Sequence, residues 1–436
     1  MKILWITNVL LDKISFQQYS KHTNGFWMDV LVKKFEEDRS NSLCVATTGN
    51  VGSIIERTID GVNYYILPDN PPYLLKDSKK IRSIYFSFLS KMKPDIINIW
   101  GTEYLHCHIF YEISLSLKIP CVFFIQGLLG EIAHYSGADL SIKERIKNVT
   151  LRDIYRRQLL INEKKRFEKI AKYEAGILEN PINYIYENDW CKSRCVYANP
   201  NSRGFLIHLP FENVFARKKK SFENFKSDNP ILVCNASGYP LKGLHVVLKA
   251  LYQLKNKFPT IKLMVPGVNV FCPTTILKRQ KYPGYYVYIS RLIKQLNLLD
   301  NVVFTGYLSP DELSNLVLSS DIFVLSSAIE NHASSLKEAM ALGMPCVASY
   351  VGGVDSYCQD KANVLYYRFG DYKMLAYKID FLLSNKAQMA DLGAKARSSI
   401  IDNESNAVDT IYSKFIDCYK KVVFDGQVPG GCSCKN

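Results

Sequence analysis

No stretch of this 436-residue chain reaches the ~18 uninterrupted apolar residues that a membrane-spanning helix needs. Its most apolar windows, 119–129 and 321–329, are strand-length and interrupted by Gln126 and Ser326. A secretory leader is not expected, although the opening could pass for a short one. The apolar opening Met1-Lys2-Ile3-Leu4-Trp5-Ile6-Thr7 gives way to Asp12-Lys13 with no small-residue cleavage pattern, and a first buried strand is expected instead. Twelve cysteines make no disulfide framework: Cys121, Cys234 and Cys346 sit inside apolar runs, where a thiol behaves as a small hydrophobe. Reduced thiols and a cytoplasmic location are expected. Cys191-x3-Cys195 and Cys432-Ser-Cys434 could supply four zinc ligands, but the spacing fits no standard module, so no metal is expected. The Asn-x-Ser/Thr sequences at Asn148, Asn235 and Asn403 are then chance matches. Nucleic-acid recognition modules are lacking too, and the aromatics are spread through apolar strands, which excludes nucleic acid as the expected partner.

What is present is a long chain, 47% hydrophobic, with net charge +14. That length suits two α/β domains of roughly 200 residues each. In the first half, strand-like runs at 2–9, 42–47, 62–67, 94–100 and 120–126 alternate with amphipathic stretches at 26–35 and 79–92. A long helix is expected over 143–172, followed by a strand at 175–178. The pattern restarts after a polar, basic segment, with strands at 230–235, 261–265, 302–305, 322–325 and 345–349. Such Ile/Val/Phe-rich strands separated by helices imply parallel sheets covered on both faces. The expected organisation is a domain at 1–212, a linker at 213–229, a second domain at 230–404, and a C-terminal helix at 405–424 packed back on the first domain. A cleft between the carboxyl ends of the two sheets is the expected ligand site.

The charge is uneven: residues 139–172 hold eleven Lys/Arg against five Asp/Glu. Arg217-Lys218-Lys219-Lys220 is a second basic knot. An anionic membrane surface or an anionic substrate suits this excess, and so does a solvated helix face with no partner.

The segment from Ser326 to Ser349 reads as strand end, loop, helix, then Gly343-Met344-Pro345 before another strand. Glu330 falls in the loop and Glu338 early in the helix. Carboxylates there can accept hydrogen bonds from a vicinal diol, while backbone N–H groups near Ser334, Ser335 and Leu336 can face a diphosphate. Ser335-Leu-Lys-Glu338 equally satisfies a capping box, in which Glu338 only ties down the helix start.

Glu330-x7-Glu338, with Ala339-Met-Ala-Leu-Gly343-Met-Pro345 and Val351-Gly352-Gly353 after it, resembles the signature of retaining glycosyltransferases of the GT-B fold, family 4. Lys242-Gly243, Phe304-Thr-Gly306-Tyr307-Leu308, Ser320-Asp321 and Pro94-Asp95 to Trp100-Gly101 are similar to further family elements in the same order. The resemblance implies an α/β GT-B architecture of two Rossmann-like domains facing across a cleft. It implies a nucleotide-sugar donor and no bound metal or other cofactor. Lys242 would neutralise the donor diphosphate with Gly243 beside it, Glu338 would hold ribose hydroxyls, and Glu330 donor-sugar hydroxyls. Backbone at Tyr307 and Leu308 would read the base, and Gly25 would let the other domain approach the phosphates. An ordinary turn at Gly25 and a solvated loop lysine at Lys242 are the plainer alternatives.

Three departures stand out. Ala236-Ser237 occupy the place of the family's Gly-Arg pair, leaving Arg203 or Arg217 to supply a second cation. Gln126-Gly127 replaces a common His near the reaction centre; Gln126 can donate a hydrogen bond there but cannot titrate. Asn331-His332-Ala333 replaces G-F-G, where His332 could contact donor-sugar hydroxyls or act as a loop histidine. On the acceptor side, Trp100, Glu103, His106, Glu131 and His134 are expected to line the cleft. The acceptor implied is a saccharide or a lipid-linked saccharide in bacterial capsule, lipopolysaccharide or exopolysaccharide assembly, with peripheral contact at the inner face of the cell membrane. A sugar-nucleotide epimerase and a non-catalytic saccharide-binding partner of the same fold are the alternatives.

Overall fold

The computed structural model describes residues 1–9, 11, 26–69, 78–223, 228–236, 238–273 and 275–425. The chain divides into two compact units. One comprises Met1–Gly130, Phe167–Phe211 and the residues from Glu404 on; the other comprises Glu131–Arg166 and Glu212–Asn403. Among the described residues, no helix is long and apolar enough to cross a membrane.

The first unit is built on strands β1 (Lys2–Thr7), β2 (Ser42–Gly49), β3 (Ile55–Ile59), β4 (Val62–Pro68), β5 (Ile96–Trp100), β6 (Cys121–Phe124), β7 (Asn183–Tyr186) and β8 (Arg203–Leu206). They form one sheet in the order β3-β4-β2-β1-β5-β6-β7-β8, parallel except for the β3–β4 pair. β1 and β5 are buried on nearly every residue because helices cover both faces. One covering helix is the last described element, Val408–Phe424, whose Ile411, Phe415 and Tyr419 join the core around Trp5 and Trp100.

The second unit holds β9 (Ile231–Val233), β10 (Lys262–Pro266), β11 (Val302–Gly306), β12 (Ile322–Leu325), β13 (Cys346–Ser349) and β14 (Leu365–Tyr367). Their order, β11-β10-β9-β12-β13-β14, with every neighbour parallel, is the doubly wound arrangement in which the chain reverses direction across the sheet between β9 and β12. Loops leaving the carboxyl ends of those two strands diverge to opposite faces and open a crevice there.

Three expectations fail between 131 and 212. No long helix runs over 143–172; the chain breaks into helices Ile142–Lys147 and Leu151–Tyr155, a 3-10 turn Leu160–Asn162, and helix Glu163–Leu178. The cause is local. Ser141 and Thr150 each cap a fresh helix start, Ser141 through a complete capping box with Glu144. Residues 175–178 are therefore the end of a helix and not a strand. Residues 131–166, expected in the first domain, belong to the second unit: Leu140 packs in its core, and Ala138 accepts a hydrogen bond from His245 Nε2 at 2.7 Å. The expected linker also carries structure, a short helix Asn213–Arg217 that buries Phe215.

Candidate functional site

The crevice at β9 and β12 is assembled by three loops stitched to one another. After β9 the chain makes a 3-10 turn, Pro240–Lys242, and enters helix Leu244–Lys255 through Gly243 at φ +73°. A Cβ on Gly243 would stand 1.8 Å from the Ser326 carbonyl oxygen, so only glycine fits against the end of β12. Ser326 Oγ donates to the Lys242 carbonyl at 2.7 Å, and Ala328 N–H to the Leu241 carbonyl at 2.7 Å. The β13 loop closes from the other side: Ser349 Oγ donates to the Ser327 carbonyl, and Gly353 N–H to the Glu330 carbonyl.

These bonds fix Lys242 and Glu330 against each other. Lys242 Nζ lies 2.5 Å from Glu330 Oε1, which also accepts from Ser327 Oγ at 2.6 Å. The Glu330 side chain is only 13% exposed. Burial works against the Lys242 charge, but Glu330 and then Tyr239 outweigh it and hold the ammonium above its ordinary pKa. A fixed cation and a fixed carboxylate at a switch point can together bind an anion and an adjacent hydroxyl.

Glu338 lies one helix further on. Helix Ser334–Ala341 begins behind Ala333 with no side-chain cap bond, so the capping box through Ser335 does not form and Glu338 is released from that role. Ser335 and Glu338 instead line a narrow crevice with Asn235, Pro266, Phe215 and Phe323, its free volume only about 10 Å³. Burial first, then the charge of Glu212, pushes the Glu338 carboxyl up to about 8. A neutral carboxyl at pH 7 is poised to exchange hydrogen bonds with a ligand's hydroxyls. Leu336 corrects its expected role. Its N–H bonds to the Ala333 carbonyl at 3.0 Å and its side chain is fully buried, so it offers nothing to a phosphate.

Other second-unit candidates fall nearby in the fold. Tyr307 and Leu308 occupy the loop directly after β11, with the Tyr307 side chain half exposed. His332 packs its ring 4.7 Å from that of Tyr357, whose hydroxyl donates to the Ala333 carbonyl. Ala236, where the motif has its Gly-Arg glycine, is buried, and Ser237 and Gly25 lie outside the described residues. Arg203 is engaged by Asp425 in the first unit, and Arg217 is exposed at the end of its short helix.

In the first unit the switch point lies between β1 and β5. Asn8, just after β1, donates through Nδ2 to Gln126 Oε1 at 3.0 Å, just after β6. Gly101, at φ +94°, ends β5 so close that a Cβ would stand 2.1 Å from Glu103 Oε2 and 3.4 Å from Gln126 Oε1. Gln126 and Glu103 are thus brought together. Burial, reinforced by Glu174, pushes the Glu103 carboxyl up to about 8. Among the described residues Gln126 Nε2 and Glu103 Oε2 are buried without a hydrogen-bond partner. Thr102 Oγ1 and Gly130 N–H both donate to Glu174, which fixes the floor of this cluster. His106 is buried one step away, its Nδ1 3.3 Å from Thr48 Oγ1 and 3.7 Å from Asp69 Oδ2.

Trp100 does not join them. It is fully buried, stacked on Phe124 at 4.7 Å and on Phe415 at 5.7 Å, and serves the core. Glu131 and His134, on helix Leu129–Tyr135, are counted in the second unit, with His134 exposed beside Tyr135. Sequence reading missed Ser327, Asn235, Pro266 and Phe215. The one signal available was position, since three of the four follow or end a strand of the second sheet.

Residues 216–399 match the family model of glycosyl transferases group 1. The chain is a glycosyltransferase with the GT-B fold. N-acetyl-alpha-D-glucosaminyl L-malate synthase of Bacillus anthracis is 28% identical over 383 residues, 84% of this chain and 82% of that protein. Among solved structures, sucrose-phosphate synthase from Thermosynechococcus elongatus superposes with TM-score 0.68 at 15% identity, covering 98% of this chain and 100% of that one. Anabaena HepE in complex with UDP-glucose gives TM-score 0.65 at 15% identity, covering 97% and 100%. The likeness to these structures is one of fold.

Proposed function

We propose that the chain transfers a sugar, with retention of anomeric configuration, from a nucleotide-sugar donor to a saccharide or lipid-linked acceptor, as a family 4 enzyme. The observation that carries this is the Lys242–Glu330 pair held at the switch point of the second sheet, next in the fold to the Glu338 pocket. A diphosphate carries more negative charge than one carboxylate and would draw Lys242 to itself, freeing Glu330 for hydroxyls of the donor sugar. Glu338 would hold the ribose, with Ser334, Ser335 and the Tyr307–Leu308 backbone completing the donor contacts. HepE, solved with UDP-glucose, supports a nucleotide sugar as co-substrate.

Charge grows on the diphosphate as the glycosidic bond to it breaks, and Lys242 would stabilise that anion. The departing phosphate oxygen would accept the acceptor's proton on the same face of the sugar, so no protein nucleophile and no cofactor enters the scheme. The Gln126–Glu103 cluster is the proposed acceptor surface, its Gln126 Nε2 donating to an acceptor oxygen. The product class proposed is a bacterial surface polysaccharide or glycolipid, made on the inner face of the cell membrane.

Thermal-shift screening with a panel of nucleotide sugars tests the donor. A ligand at about 100-fold its Kd adds about 2.7 kcal/mol of stability. Anomeric coupling in the product's early proton NMR spectrum then tests retention. An inverted product sinks the family 4 reading, and epimerised donor formed without acceptor favours an isomerase.

A further inference from the structure

Helices Ile142–Lys147 and Leu151–Tyr155 of the second unit reverse the usual arrangement of a surface helix. The first buries none of its residues, and Ile142 and Ile146, one turn apart, are exposed. The second buries Asp153 and turns Leu151, Ile154 and Tyr155 outward at 64%, 57% and 88% exposure. Their i, i+3, i+4 spacing puts these three on one face.

The inversion is built in by hydrogen bonds. Asp153 Oδ2 accepts from Gly284 N–H at 2.8 Å, Thr150 Oγ1 donates to the Tyr282 carbonyl, and the Leu151 and Arg152 amides bond to Gln280. The polar side of the helix is thereby fastened down and its apolar side left over. The same contacts set it beside Ile276 and Leu277, exposed at 68% and 79% on helix Ile276–Arg279. Five large apolar side chains on these two fastened helices, with Ile142 and Ile146 exposed a few residues earlier in the chain, exceed what scattered surface exposure explains.

The charge around them has one sign. Lys143 and Lys147 lie on the first helix and Arg156 and Arg157 follow the second, while Lys278 and Arg279 end the third and Lys281 follows it. The acidic residues among them are spent, Glu144 in its capping box and Asp153 in its buried bonds. Aliphatic knobs ringed by cations match the interface of an anionic bilayer, which takes the knobs below its headgroups and attracts the ring. Single-stranded nucleic acid would need stacking aromatics in place of Leu and Ile.

We propose that this surface docks the chain on an anionic lipid bilayer. It rests on the glycosyltransferase reading only in giving a lipid-linked acceptor a place to be met. The test is flotation of the full chain with phosphatidylglycerol-containing vesicles and with phosphatidylcholine vesicles alone. The wild type floats with the former and not the latter, and raising salt from roughly 0.05 to 0.5 M weakens it as the Debye length shrinks. Each basic residue near such a surface is worth roughly fivefold, so Arg156→Ala with Arg157→Ala lowers partitioning roughly 25-fold. Leu151→Ser, Ile154→Ser and Tyr155→Ser together abolish it, and so does the separate pair Ile276→Asp and Leu277→Asp.

Donor thermal shifts, measured without vesicles, stay at wild-type size in all of these variants and confirm that they fold. Equal partitioning onto neutral and anionic vesicles, or flotation unchanged by both apolar variants, overturns the proposal. So does a concentration-dependent dimer that the Leu151/Ile154/Tyr155 variant dissolves while the wild type fails to float, because the occupant is then a second copy. Absence of any donor shift would count against the transferase reading and leave docking standing.

Discussion

The carbonyl oxygen of Glu330 lies 1.6 Å from where a Cβ on Gly352 would stand. Gly352 also sits at φ +55°, so space and backbone conformation both demand glycine there. The β13 loop therefore acts as a wall that sets the height of the Glu330 loop. Gly352→Ala should push that loop away, cost on the order of 2–4 kcal/mol, and weaken donor affinity at least tenfold. Melting temperature and donor titration check this; an alanine variant with wild-type values for both would show that the loop adapts freely.

Lys242→Gln removes the cation while keeping a hydrogen-bond donor. Loss of one group aimed at a developing anion costs about 10²–10³ in kcat, and that range is expected here. Lys242→Arg should rescue little, because Glu330 Oε1 already lies 2.5 Å from Nζ and a longer planar fork would displace it. Single-turnover kinetics with saturating donor separates this from a binding defect. A Lys242→Gln variant within threefold of wild type would remove the lysine from the chemistry.

Stability and donor affinity should both respond to the proton on Glu338. Its folded pKa, about 8, is above the ordinary 4.5, so the folded state holds a proton that the unfolded chain gives up. The stability this confers is fully present below pH 4.5 and lost as pH rises through 8. Glu338→Gln should flatten that part of the profile, a difference on the order of 1–3 kcal/mol between the ends of the window. If ribose hydroxyls donate to the carboxylate, wild-type donor affinity rises from pH 6.5 to 8.5 and the variant's does not. Denaturant titrations and calorimetry across that range decide it.

Tyr419 ties the last helix to the first sheet. Its hydroxyl oxygen accepts from Trp5 Nε1 at 3.0 Å and from Asn98 Nδ2 at 2.8 Å, both fully buried. Tyr419→Phe would strand two buried donors and cost about 2–4 kcal/mol. The donor-induced thermal shift should be unchanged, since the loss is in the first unit. Chemical denaturation of the variant measures it.

Much of the proposed donor site was legible because its segments are local. Glu330 and Glu338 lie within one strand–loop–helix–strand segment and Gly352 in the turn after it, and the strand periodicity places both at a sheet's carboxyl edge. Lys242 belongs to a second segment of the same kind. The residues proposed for the acceptor side were read less well. Trp100 and Gln126 both follow apolar strand runs, and nothing in the sequence tells that Trp100 faces Phe124 and Phe415 in the core while Gln126 faces Glu103. Strand alternation carries little information when both faces of a sheet are buried.

The sequence by itself determined the alternation of strands and helices and the doubly wound class, because these depend on residue type at short spacing, and its resemblance to a known pattern singled out Glu330, Glu338 and Lys242 as candidates. Tertiary structure alone decided that residues 131–166 belong to the second unit, that Leu336 and Trp100 are core residues, and that Ser327 steadies Glu330. It also decided that helix Leu151–Tyr155 faces its apolar side outward. Each of these turns on a contact between residues distant in the chain, or on which side of an element is fastened. Hydrophobic pattern is silent on both, since burial is settled by what the rest of the fold brings alongside.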